Sequence, residues 1–263
     1  MKDIPELTYE MIKRMKDMSW FTHAQIFDDL LIVAQKETAC YILKTTAGLV
    51  VIDGIWPDKK VYDEIIRSID EAGWGGIVIC MFLMTHGHID HVGCGKWIKD
   101  NSGAKTFLSE EDDRLRLSTP HEDGRTDNWK EFEIDEYIGD GDMIDCGDRG
   151  IYVISTPGHT KGCSSFVFPV HEDGEKHMAC LFGGATPLHG DGNGREQQKT
   201  SIKRFMKIIG KKECDVALTN HTAFDCGLER IAYSRARISH LPNIYILGTE
   251  GVQDFYRIFE EII

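Results

Sequence analysis

The sequence predicts an α/β layered fold, with mixed β-sheets covered by helices on their outer faces, and three observations carry that prediction. Apolar runs of strand length recur along the chain, and several lead into a polar residue of metal-ligand type. Helical periodicity fills the gaps between the later runs. The early stretch from Leu30 to Asp53 reads instead as successive strands with no helix between them, so the strands cannot all run parallel.

Taken in order, the run GLVVID ends at Asp53, and Val61, Ile65, Ile66 and Ile69 then mark one face of a helix from about Asp58 to a stop at Gly73. The run GIVICMFLMT leads to His86. SEEDDRLRL, from Ser109, opens like a capping box with Asp in place of Glu. GIYVISTPGHT reaches His159, HMACLFGGA reaches Ala185, and CDVALTNH reaches His221. Ile202, Phe205, Met206 and Ile209 mark a second helical face. The glycine-rich piece from Phe182 to Gly194 has periodic segments on both sides, so it reads as a long loop within a domain, either a lid from Gly183 to Gly194 or a plain surface loop. With no linker-like break and no repeat, residues 1–263 are expected to form one domain.

Composition removes several function classes. The chain carries 30 basic and 43 acidic residues, a net charge of -13, with no sustained basic run, so nucleic acid is not expected as a partner. Arg230, Arg235 and Arg237 read as a solvated helix face. The first twenty residues scatter charges and lack an apolar signal core, and no 18-residue apolar segment is present to span a membrane, so the expected compartment is the cytoplasm. Eight cysteines never come closer in sequence than the twelve residues between Cys214 and Cys226, which fits reduced, buried thiols rather than a zinc ribbon or a redox pair. Oligomeric state is left open.

THGHIDH, residues 85–91, places His86, His88, Asp90 and His91 within six residues at the end of an apolar run. In a chain with 11 histidines, chance assembly of H-x-H-x-D-H has odds of roughly two in a thousand. A core role is a poorer explanation, because four adjacent polar groups would each need a buried partner. Extended geometry projects His86 and His88 to one side and turns Asp90 and His91 away from them, so the motif reads as half of two neighbouring metal sites. Imidazole with carboxylate suits zinc or iron. His159 and His221, each at the end of a later run, are the candidates to complete the two sites.

Asp53, THGHIDH, TPGHTKGCSSF and the late NH pair, in that order, resemble the metallo-β-lactamase fold superfamily over about Leu30 to Phe224. The resemblance implies a four-layer αβ/βα sandwich with a dinuclear centre at one edge of two mixed sheets. It implies that His86, His88 and His159 hold one metal and that Asp90, His91 and His221 hold the other, with Asp53 supporting the loops by hydrogen bonding. Where most hydrolases of this superfamily carry a bridging aspartate, the chain reads LFGGAT, with Gly184 or Ala185 at that place. That pattern is similar to the subclass of metallo-β-lactamases lacking both a bridging aspartate and a cysteine ligand, as are DGIWP, GAK and ECDVALTNH.

The expected activity is therefore hydrolysis of a small carbonyl compound (lactone, ester, thioester or lactam) by hydroxide held between two zinc ions, with Asp90 orienting it; iron or manganese are alternative metals. Without the bridging carboxylate the centre is more electropositive, which favours an anionic small-molecule substrate. Trp56 and His189 are candidate substrate contacts, and Trp20, Phe21 and Trp129 candidate pocket walls. The competing readings are a β-lactamase proper and a non-catalytic metal-binding interaction module. No flavodoxin-like domain is present to favour a di-iron redox protein.

Overall fold

The computed structural model describes residues 13–14, 17–118, 129–184, 192–238 and 240–262. Its first sheet takes seven strands in sequence order: β1 (Thr22–Phe27), β2 (Leu30–Ala34), β3 (Ala39–Thr45), β4 (Gly48–Ile52), β5 (Ile79–Leu83), β6 (Lys105–Leu108) and β7 (Glu136–Tyr137). β1 to β4 pair antiparallel, whereas β4 to β7 pair parallel, so the sheet is mixed, as the helix-free start and helix-rich continuation require. The second sheet orders β12 (Val216–Thr219), β11 (Glu175–Phe182), β10 (Ser164–Glu172), β9 (Gly150–Ser155) and β8 (Met143–Asp145), with β11 and β12 parallel and the other pairs antiparallel.

Strand periodicity builds the layers. In β2 to β4, Ile32, Tyr41, Leu43, Val50 and Ile52 face the core between the sheets, where they meet Val153, Phe166, Phe168, Leu181 and Leu218 of the second sheet. Their alternate neighbours Leu31, Val33, Cys40, Ile42, Leu49 and Val51 face outward into a separate cluster. That outer cluster takes Val61, Ile65 and Ile69 from α1 (Lys59–Glu71) and Ile98 from α3 (Gly95–Ser102). On the other side, Val167, Cys180, Phe182 and Ala217 pack against Ile202, Phe205 and Ile209 of α5 (Gly192–Lys211) and Val252, Tyr256 and Phe259 of α7 (Gly248–Ile262). Three apolar clusters thus separate four layers: helix, sheet, sheet, helix.

The remaining helices are α2 (Ile89–Val92), α4 (Glu110–Ser118) and α6 (Gly227–Ala236). The α1 boundaries follow their local signals: the Asp58 side chain accepts from the Lys60 amide at 2.9 Å, and Gly73 follows the helix at φ +73°. The strand before His86 ends two residues sooner than its apolar run, at Leu83, because the Thr85 amide leaves the ladder and donates to the Asp53 carboxylate at 2.8 Å. Gly192 and Gly194, expected in a loop, open α5 instead. No described helix is long and apolar enough to cross a membrane.

Candidate metal centre

Loops after β4, β5, β9 and β12 meet at one edge of the sandwich, and each brings a residue singled out in the sequence. After β5 the chain runs through His86 and His88 and then turns into α2, which carries Asp90 and His91. Asp53 follows β4 with φ +61°, and Ile55 has φ +49°, an uncommon conformation for a β-branched residue. This tight turn is stitched to α2: Gly54 N–H donates to His91 O at 2.6 Å and Gly93 N–H to Ile55 O at 3.1 Å.

Two groups of ligand atoms converge, His86 with His88 and His159, and Asp90 with His91 and His221, each group within 4.8 Å of itself. His159 Nε2 lies 3.0 Å from His88 Nδ1 and 3.1 Å from His86 Nε2. His91 Nε2 lies 3.2 Å from His221 Nε2 and 3.3 Å from Asp90 Oδ2, while His221 Nε2 is 3.8 Å from that oxygen. The groups are adjacent, with the His86 and His91 rings 4.1 Å apart between centroids. Tetrahedral coordination at about 2.0–2.1 Å puts neighbouring ligand atoms about 3.3–3.4 Å apart, so the spacings fit a zinc-sized cation in each group.

Three far ring nitrogens are held as ligands need them to be. His91 Nδ1 is 2.9 Å from Asp53 Oδ2, His221 Nδ1 is 3.1 Å from the Glu37 carbonyl, and His86 Nδ1 is 3.0 Å from Thr85 Oγ1. A proton on Nδ1 of His91 and His221, donated to those acceptors, leaves the Nε2 lone pair facing the group. Asp53 thus touches His91 and Thr85 and belongs to neither converging set. Asn220 donates to Asp53 Oδ2 at 3.2 Å and to Gly183 O at 2.8 Å, tying the end of β11 to the same hub.

Electrostatics divide the rings. Burial and the neighbouring imidazoles push His86 well below the ordinary range, and burial with His91 lowers His221 to about 4. Burial also opposes charge on His91, but the Asp90 and Asp53 carboxylates outweigh it and raise that ring to about 10. Burial would raise Asp90, yet the neighbouring imidazoles, His91 foremost, hold it well below the usual carboxylate range.

Other expectations fare differently. Trp56 is 7 % exposed and belongs, with Val61 and Val92, to the outer apolar cluster, so the structure places it in the core instead of on an open wall. Trp129 and, in part, Phe21 pack into the same cluster, and Trp20 is exposed. Ala185 and His189 lie outside the described residues, as does the middle of the glycine-rich loop. Gly184 is described and close-packed: a Cβ there would stand 2.4 Å from His159 Cβ, and the buried Gln198 donates to its carbonyl at 2.6 Å. Cys163 stays outside both groups. Sequence reading gave no role to Thr85 and Asn220, although they open the THGHIDH and NH motifs, nor to the Glu37 carbonyl, which has no motif, and it took Asp112 only for a helix signal.

A family model described as the Metallo-beta-lactamase superfamily matches residues 35–173, just over half of the chain. An uncharacterized protein of Mycobacterium leprae is 28 % identical over 186 residues, 65 % of this chain and 82 % of that one. A hydroxyacylglutathione hydrolase of Bradyrhizobium sp. is 33 % identical over 104 residues, 40 % of this chain and 34 % of that enzyme. Among solved structures, a subclass B3 metallo-beta-lactamase of Bradyrhizobium japonicum superposes with a TM-score of 0.75 at 24 % identity, covering 92 % of this chain and 91 % of that one. With four sandwich layers, two converging ligand groups and a family match over more than half its length, the chain belongs to the metallo-beta-lactamase superfamily.

Proposed function

We propose that this protein is a dinuclear metal-dependent hydrolase of a small carbonyl compound, with zinc as the metal and Asp90 as the catalytic carboxylate. The observation that carries the reading is the convergence of five imidazoles and one carboxylate into two adjacent groups, with the far nitrogens of His86, His91 and His221 already engaged. His86, His88 and His159 would hold one ion, and Asp90, His91 and His221 the other. Bound there, two divalent cations supply Lewis acidity, polarising a carbonyl and making water nucleophilic near neutral pH.

The protein's own groups do the rest. Asp53 and the Glu37 carbonyl fix the tautomers and orientations of His91 and His221. Asp90 faces both of those rings, where its second oxygen can orient the attacking water and take its proton. Gly184 and Ala185 offer no bridging carboxylate, so the centre keeps a larger positive charge, which favours substrates bearing a carboxylate or another anionic group. The same feature supports a kinship with the subclass B3 enzymes, and the hydroxyacylglutathione hydrolase match supports a thioester substrate.

The test is hydrolysis of a panel of thioesters, lactones, esters and β-lactams by zinc-, iron- or manganese-loaded protein, with a chelator control. Chelator-sensitive turnover of one class is the expected result. Full metal loading with no turnover across the panel favours a non-catalytic metal-binding module.

A further inference from the structure

We infer that Asp112 is a positioning residue for the His86–His88–His159 group: its carboxylate staples the loop carrying His86 and His88 to the loop carrying His159. The inference rests on the metal-binding reading above. Asp112 is the third residue of α4 and has no exposed surface. Its Oδ2 accepts from the Gly87 amide at 2.9 Å and from Thr160 Oγ1 at 2.6 Å, and its Oδ1 accepts from the Gly162 amide at 2.9 Å. Gly87 lies between His86 and His88, and Thr160 directly follows His159. One buried carboxylate therefore joins the two chain segments that supply every member of this group, 71 residues apart between His88 and His159.

Its geometry is not that of a helix cap. In a capping box the side chain at this position turns back to the amide of the capping residue, here Ser109. Half of that motif forms, with the Asp112 amide donating to Ser109 Oγ at 3.3 Å, but both carboxylate oxygens point away to the ligand loops. The approach is close: a Cβ on Gly87 would stand 2.3 Å from the Asp112 carbonyl oxygen. All three donors are uncharged, so they only partly offset the desolvation of a buried carboxylate, and the α4 N-terminus adds a favourable field. Burial raises the Asp112 carboxyl above its ordinary value, against the three hydrogen bonds. An apolar residue would avoid that cost but would leave two amides and a hydroxyl unsatisfied and the two loops unjoined.

The neighbouring group shows what such a partner does. There Asp53 touches the His91 ring directly, whereas Asp112 reaches the first group through the Gly87 and Gly162 amides and the Thr160 hydroxyl. Loss of the staple should therefore weaken the first group selectively.

The experiment measures zinc affinity by competition with a chromophoric chelator for the full chain and for Asp112→Ala and Thr160→Val, each also in His91→Ala/His221→Ala and His88→Ala/His159→Ala backgrounds, which leave a single ligand at the removed group. Asp112→Ala is expected to weaken zinc about 10–100-fold where only the His86–His88–His159 group remains, and to leave affinity within about twofold where only the Asp90–His91–His221 group remains. Thr160→Val removes one bond and no charge, so it should fold normally and weaken the first group roughly 3–10-fold. The ligand-field spectrum of cobalt in the first group should shift in both variants. Equal losses in both groups, or lower thermal stability with unchanged first-group affinity, would overturn the staple and leave Asp112 a purely structural residue. If the unaltered protein binds no zinc, the metal reading itself fails.

Discussion

His91 and His23 each meet a buried carboxylate through Nδ1, at 2.9 Å to Asp53 and at 2.8 Å to Glu64, and both rings are raised above their ordinary pKa. The difference lies at the other nitrogen. His91 Nε2 faces His221 Nε2 and Asp90 Oδ2, a set of electron pairs that one proton cannot satisfy. His23 Nε2 meets Glu71 Oε2 at 3.0 Å, and Arg67 shares Glu64 at 2.6 Å, so that network is closed and ties β1 to α1. Burial and a perturbed pKa therefore do not distinguish a functional histidine from a structural one in this fold. Convergence of atoms that only a cation can satisfy does.

Three substitutions test that contrast. The largest effect is expected from Asp90→Ala, which should cut turnover by about 10²–10⁴-fold while metal content falls much less, because His91 and His221 remain to hold a weakened second site. Kinetics run beside metal analysis decide it, and full activity would remove Asp90 from the mechanism. Next, Asp53→Ala leaves every proposed ligand in place but frees the His91 ring, so zinc at the second group should weaken by about 10–100-fold with the first group little changed. An unchanged titration would mean that Asn220 and the stitched turn suffice to orient His91.

The smallest effect on function belongs to His23→Gln, with zinc affinity and turnover unchanged. Its cost is in folding, roughly 1.5–3 kcal/mol for charge-assisted hydrogen bonds to Glu64 and Glu71. The Glu64 hydrogen bond is the largest cause of the raised His23 pKa, so this contribution is fully present below the unfolded value of about 6.5 and is lost as pH rises through the folded value. Denaturant unfolding of both proteins from about pH 5.5 to about pH 9 should show the gap narrowing with pH. A gap that widens with pH would mean that the ring is neutral in its network.

The apolar runs between Leu30 and Ile52 determine that these strands are buried on both faces, whereas which alternate residues face which core is settled only by the fold. The i, i+3, i+4 spacing of α1 and α5 settles their inward faces. His86, His88, Asp90 and His91 are legible because their spacing is local, and His159 and His221 because each closes an apolar run. The Asp112 bonds are not legible, since a capping pattern describes only the nearest turn and its partners lie 25, 48 and 50 residues away. Trp56, a candidate substrate contact in the sequence, is buried in the outer apolar cluster. The family match ends at residue 173, and beyond it the fold sets the orientation of His221: its Nδ1 lies 3.1 Å from the Glu37 carbonyl of the β2–β3 loop, and Tyr41 donates to the Thr219 carbonyl at 2.6 Å. Ligand chemistry and helix faces follow from short-range spacing, which a sequence contains. Which loops share a cation, and which carboxylate joins them, follows from contacts between residues distant in the chain, which only packing two sheets face to face can create.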